Sequence, residues 1–369
     1  MNSLAFLKLP MEYQPPPSSS PGPERPPLMH NNHPRYTVAL LLLTIVGVAT
    51  LPAQAGGRGG RGFGAPSAFP AKQLPFESGF RVYIVSNMAG MGAAVDPKEV
   101  MSGTEAGAPA QTNTASFNEY ETRYRSLATQ EANAAVRGAR LGGAKSFVVS
   151  DAHPGNGFGN LLPWELDSAA ILIRGTRPLF MIAGIDSTFG TLMFDGAVAS
   201  VGSHGIMTHT FGFDAFSVNG KPLNEVGIMA LIAGEMGVSV SMVAGDDAVI
   251  EETKAMLPGG FVPVITKYAV GRIAGITYSP AKVRRLIAAG AAEAVRREKA
   301  GAFPPFTMAK PYRVEFTVQG ALSDDNVALV AAIPGFTFER IGPRSFRFTT
   351  QNARQIGTLI DAMQPVVIR

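Results

Sequence analysis

Short runs of β-branched and aromatic residues alternate along this chain with segments of helical periodicity, and that alternation constrains the fold more than any other feature. Strands are predicted at 81–86 (RVYIVS), 145–150 (KSFVVS), 179–184, 191–198, 238–244 and 262–268. Between them, a capping box at Ser116 and Glu119 opens a long helix that Gly142 and Gly143 close. A second helix starts from an Asn224 N-cap, carries Ile228, Leu231 and Ile232, and stops near Gly237. A third spans 246–257. A fourth begins at the Ser279-Pro280 cap pair, with Val283, Leu286, Ile287 and Val295 on one face. The pattern predicts an α/β domain over 80–309, a mainly parallel sheet flanked by helices. After Pro311 the units shorten, which predicts a smaller α+β domain over 310–369. Residues 91–115, small and polar, read as a long loop.

The first 79 residues do not belong to that pattern. Residues 10–34 are rich in Pro, Ser and Asn and cannot build a core. Arg35 precedes an apolar run from Val38 to Leu51 that ends in Ala53-Gln54-Ala55, the layout of a secretory signal with its cleavage site. The run is shorter than the roughly 20 residues a membrane-spanning helix needs. Residues 1–55 therefore read as a signal with a long n-region, or an ordinary one if translation begins at Met29. They predict an exported chain, periplasmic or extracellular, with no stable membrane span once the signal is cleaved. Residues 56–79 read as a Gly/Pro-rich flexible spacer.

Net charge is +4, and losing residues 1–55 would leave +3. No basic run is interleaved with aromatics, so nucleic acid is not an expected partner. With no cysteine, thiolate catalysis, cysteine-held metals and disulfides are excluded. The glycines of 155–159 lack the lysine and setting of a phosphate-binding loop. Ser203-His204 lacks the elbow of a serine hydrolase.

The chemistry-bearing residues concentrate between Phe194 and Asp247. Of the three histidines beyond residue 55, two lie here, His204 and His209, and Glu225 stands at the start of the second helix. The third, His153, follows a strand in Asp151-Ala152-His153. By itself His153 reads as a capping or core residue as readily as a ligand. Glu225 alone would be an ordinary first-turn acid favoured by the helix dipole.

GIMTHTF, the spacing from it to NGKPLNEVG, and VSMVAGDD together resemble the zinc D-aminopeptidase family, the DppA-like metallopeptidases, over roughly residues 80–369. The resemblance implies an α/β fold, hydrolysis at the N-termini of short peptides, zinc as cofactor and homo-oligomeric assembly. It implies that His153 and Glu225 are metal ligands and that His209 is the catalytic histidine. Three further ligand positions are substituted. The family's first strand ends in D-x-E-G, where this chain has Asn87-Met88-Ala89-Gly90. Its histidine eleven residues before the catalytic one falls on Val198. Asp151 and His204 are possible substitute ligands, with Asp96 and Glu99 in the 91–115 loop as unplaced carboxylates. The expectation is a peptidase-family chain with a reduced or rearranged metal site, holding one zinc or none. The alternative is a non-catalytic relative that binds peptide, cell-wall fragments or a partner.

Overall fold

The structure, a computed structural model, describes residues 76–100, 114–179, 181–320 and 323–367. The predicted signal and most of the spacer lie outside the described residues. In chain order the elements are β1 (Arg81–Ser86), α1 (Thr114–Leu141), β2 (Ser146–Asp151), a single turn α2 (Gly155–Phe158), β3 (Ala170–Ile173) and β4 (Thr191–Ala197). Next come β5 (Phe213–Val218), β6 (Lys221–Pro222), α3 (Glu225–Gly234), β7 (Ser239–Asp246), α4 (Asp247–Met256), β8 (Val262–Gly271) and β9 (Ala274–Thr277). The last are α5 (Pro280–Lys299), β10 (Tyr312–Val318), α6 (Asp324–Ala331), β11 (Glu339–Arg340), β12 (Ser345–Thr350) and α7 (Ala353–Val367).

Seven strands form one sheet in the order β3-β2-β1-β4-β7-β8-β9, parallel except for the edge pair β8–β9. The chain winds outward from β1 through β2 to β3, then returns to place β4 on the other side of β1. The strand order thus reverses between β1 and β4, and the crevice at the carboxyl ends of such strands is where open α/β sheets bind ligands. A second, antiparallel sheet runs β11-β12-β10-β5-β6. It draws β5 and β6 from the segment between β4 and α3. Asn219 and Gly220, both with positive φ, make the tight turn between these two strands.

The buried faces explain the layers. Val82, Ile84, Phe147, Val149, Met193 and Met242 point to one side of the large sheet and pack under α1 and α5. Those two helices cross closely: a Cβ added to Gly138 would lie 2.2 Å from the carbonyl oxygen of Ala288. Tyr83, Val85, Phe194 and Val243 point to the other side and join α3, α4, the antiparallel sheet and α7. Every residue of α3 is buried, so this helix is apolar all round rather than amphipathic.

The α/β class read from the alternation is the one observed, and several boundaries differ. Residues 179–184 do not form a strand. Leu179 takes φ 52°, its N–H is held by Asp361 Oδ2 of α7, and Ile182 and Ile185 close successive turns on Leu179 and Ile182. The apolar side chains there are buried as turns, and the strand lies earlier, at β3. The long helix begins at Thr114, so Ser116 lies inside it rather than at its cap. Asp246 ends β7 and caps α4 instead of opening it. The hairpin β8–β9 was not expected.

Candidate functional site

At the end of β1 the backbone turns tightly through Met88–Gly90. Asn87 Oδ1 accepts from the N–H of Ala89 at 3.0 Å, so its one oxygen caps this turn. The turn is pressed onto the end of β4. A Cβ on Gly90 would sit 1.9 Å from the carbonyl oxygen of Gly196, and one on Gly196, at φ +85°, would sit 2.1 Å from that of Asn87. Ala89 and Val198 are buried on either side of this contact and carry no donor atom.

Asp151 closes β2 with its carboxylate fully engaged. It accepts from the N–H groups of Asn160 (2.5 Å), Leu161 (2.9 Å) and His153 (3.4 Å), and from Asn160 Nδ2 (3.1 Å). Burial lifts its pKa above the usual range despite those donors. It acts as an anchor for the 153–161 segment. His153 is buried, with Nε2 2.7 Å from the carbonyl oxygen of Val100, while Nδ1 is buried without a partner. Burial, with a smaller contribution from the charge of His209, pushes its pKa down to about 4. A ring that donates one N–H to a backbone carbonyl and leaves the other nitrogen bare has the form of a metal-ligand histidine.

His209 lies in the loop between β4 and β5, bracketed by two non-glycine residues with positive φ, Met207 (51°) and Phe211 (53°). Such strain is tolerated where the surroundings over-determine it. Here His209 N–H donates to Ala199 O at 3.2 Å, and Nδ1 lies 2.7 Å from Met207 O. Because a carbonyl only accepts, Nδ1 carries the proton and Nε2 is the basic nitrogen. Nε2 faces Glu225 Oε1 at 3.6 Å, with about a third of the His209 side chain exposed and Glu225 almost fully covered. Glu225 Oε1 also accepts from Phe211 N–H at 2.9 Å. Burial raises the pKa of Glu225, while the charge of His209 and the Phe211 N–H act the other way.

His153, His209 and Glu225 thus occupy one neighbourhood, where His209 faces Glu225 and its charge is felt at His153. His204 is exposed in the same loop, and Asp151 is committed to the backbone. Glu99 accepts from Val95 and Asp96 N–H and from Tyr124 Oη, while Asp96 caps the adjacent turn. Among the described residues no group of three or more His, Asp or Glu is arranged to hold a metal. Of the ligand candidates read from the sequence, His153 offers a bare nitrogen, Nδ1. These residues do not fit a paired-zinc centre.

Sequence reasoning missed several residues around the site. Glu252 of α4 accepts from the N–H and Oγ of Ser200 and from Asn224 Nδ2, tying the start of the His209 loop to the cap of α3. Below the β1 turn lie three buried ionisable groups. Glu131 of α1 accepts from Gly92 N–H through both oxygens (3.2 and 3.1 Å). Lys267 Nζ donates to the carbonyls of Met91 (2.9 Å) and Ala94 (2.5 Å). Asp195 leaves Oδ1 buried without a partner. Burial, followed by the charge of Glu131, raises Asp195 well above the carboxylate range. Lys267, a lysine inside an apolar strand run, was the one legible signal. A separate cavity of about 940 Å³, lined by Leu223, Met256, Pro258, Pro304 and Phe306, contains none of these residues.

Residues 80–362 match the D-aminopeptidase family. A D-aminopeptidase of Bacillus subtilis (strain 168) is 35% identical over 168 residues, covering 45% of this chain and 60% of the relative. The chain therefore aligns with less than two thirds of that protein's length. Among solved structures, the Zn-dependent D-aminopeptidase DppA from Bacillus subtilis, a self-compartmentalizing protease, superposes with a TM-score of 0.66. It is 25% identical, over 78% of this chain and 98% of that one.

Proposed function

Since the chain belongs to the D-aminopeptidase family, we propose that it is an exported peptide hydrolase acting on the N-termini of short peptides, with a reduced metal site. The observation that carries this reading is the His209–Glu225 pair. The Nδ1–H bond to Met207 O holds the His209 ring with Nε2 towards Glu225 and, through its exposed edge, towards solvent. Nε2 is the group that takes a proton from an attacking nucleophile and returns it to the leaving amine. Glu225, 3.6 Å away and beyond direct hydrogen-bond reach, bears on Nε2 through its charge.

Zinc dependence is stated for the DppA relative. A catalytic zinc usually takes about three protein ligands. Here His153 Nδ1 and the Glu225 carboxylate are the candidates, one short of that number, so no step is assigned to metal. Self-compartmentalization is likewise stated for that relative, and homo-oligomeric assembly is proposed for this chain. The hairpin β8–β9 supports it by exposing Tyr268, Val270, Ile273 and Ile276, which monomers seldom display together.

The test is hydrolysis of short L- and D-peptides by the mature chain, with zinc content per chain measured on the same sample. His209→Gln should reduce turnover by about 10²-fold or more while the fold persists. Two tightly held zinc ions per chain would overturn the reduced site. No three-donor group converges among the described residues, which favours a second reading, a non-catalytic relative that binds peptide or cell-wall fragments. Saturable peptide binding without turnover would select it.

A further inference from the structure

Gly245-Asp246-Asp247, part of the motif that carries the resemblance, has no role in the pair just described, yet its two carboxylates bond the loop ahead of His209 and the hairpin that meets that loop. We propose that Asp246 and Asp247 form a positioning clamp that sets the His209 loop. The inference rests on His209 being the proton-moving group.

Asp246 spends its two oxygens on two different elements. Oδ1 accepts from Val249 N–H at 2.9 Å and caps α4, while Oδ2 accepts from Ile206 N–H at 2.6 Å, three residues before His209. Asp247 Oδ1 accepts from Ala269 N–H at 2.8 Å and so fixes the hairpin β8–β9. The hairpin returns to the loop, where Arg272 O accepts from Met207 N–H at 2.8 Å. A closed circuit results, from Asp246 to Ile206, along the chain to Met207, across to Arg272, back to Ala269 and Asp247. Met207 sits in this circuit with its strained φ of 51°, and its own carbonyl receives His209 Nδ1–H. The ring orientation of His209 therefore depends on Met207, and Met207 is held from both sides by the clamp.

Packing shows that the circuit is tight. A Cβ on Gly205 would lie 3.0 Å from Asp246 Oδ2, and one on Gly275 would lie 2.5 Å from Ile206 Cδ1. A Cβ on Gly245 would meet Val249 Cγ1 at 2.5 Å and Ala197 O at 2.6 Å. The carboxylate is required rather than an amide. An asparagine at 246 would offer one oxygen to two N–H donors and leave one of them, at Ile206 or Val249, facing an NH₂ group.

The experiment separates this role from plain stability by substituting Asp246→Ser, which retains an N-cap hydroxyl for α4 but cannot span to Ile206. Nitrogen-15 spectra of the histidine rings, with His209→Gln used for assignment, read the His209 tautomer directly. The wild-type chain should show a single Nδ1–H pattern. Asp246→Ser, with native circular dichroism, should lose it to a mixture of tautomers. The Ile206 amide should exchange about tenfold faster or more in the variant. Persistence of the Nδ1–H pattern and of Ile206 protection in the folded variant would overturn the proposal. If Asp246→Ser fails to fold, the wild-type amide decides. Exchange at Ile206 as fast as at an unbonded loop amide would also overturn it. Neither measurement needs substrate, so a wrong assignment of hydrolysis would leave both readouts standing.

Discussion

Asn87, Ala89 and Val198, where the resemblance places metal ligands, lie around a close backbone contact. Asn87 turns its oxygen onto Ala89 N–H, and Gly90 and Gly196 bring the β1 turn against β4. The triple substitution Asn87→Asp, Ala89→Glu, Val198→His would return the family's donor types to the three positions. Without zinc it should lose stability, because it places a glutamate and a histidine at buried positions that lack partners. Added zinc should raise the melting temperature of the variant by several degrees and leave the natural chain unaffected, since a ligand stabilises only the state that binds it. Differential scanning fluorimetry with zinc and with a chelator reads both. A zinc-dependent rise in the natural chain equal to that of the variant would show that the substituted positions do not limit metal binding. His209 and Glu225 were singled out through the family resemblance, not through any pattern that encodes their approach. The uses of Asp151 and Asn87 as backbone anchors were not legible, because the partners are N–H groups that no side-chain pattern encodes.

At the scale of elements, the α1–α5 crossing turns a familiar rule around. Alanine in place of glycine within a helix ordinarily stabilises by about 1 kcal/mol. At Gly138 the new Cβ would meet Ala288 O at 2.2 Å, so Gly138→Ala should destabilise by about 1–3 kcal/mol as the helices are forced apart. Urea unfolding compares the two chains, and a raised midpoint in the variant would sink the prediction. Element types were well announced where periodicity and turn residues agreed, as in β1, β2, α3 and α5. They were misread where burial replaced periodicity. The apolar run at 179–184 looks like a strand, but Leu179 is in the left-handed region, and Met181 and Ile182 are buried in turns. The edge strand β9 (AGIT) is short and mostly solvent-facing, so it lacks the alternation that marks a half-buried strand. The pairing of β5 with β10, about a hundred residues apart, is set by tertiary packing, with Phe216 opposite Phe316.

For the molecule as a whole, two buried groups make stability depend on pH in opposite senses. Burial raises Glu131 from 4.5 to about 7, against the backbone N–H of Gly92 and the charge of Lys267. Stability tied to its protonated form is present below pH 4.5 and lost as the pH rises through about 7. Burial lowers His153 from 6.5 to about 4. Stability tied to its neutral ring is present above pH 6.5 and lost as the pH falls through about 4. Each shift corresponds to about 3 kcal/mol across its window, as an upper bound. Between roughly pH 4.5 and 6.5 the two slopes offset each other, and the natural chain should show little change from this pair. Removing one group exposes the other. Glu131→Gln should show a more positive slope with pH than the natural chain through this range, because the opposing contribution of Glu131 is gone. His153→Gln, which keeps an N–H for Val100 O, should show a more negative slope than the natural chain over the same range, because the opposing contribution of His153 is gone. Urea midpoints at three pH values for the three chains give the slopes. Parallel lines for all three would mean that neither group titrates differently in the folded and unfolded chains. Slopes displaced to opposite sides of the natural chain's would place both buried groups in the energetics of the fold, one bearing the bare ring nitrogen and the other holding Gly92 after the β1 turn.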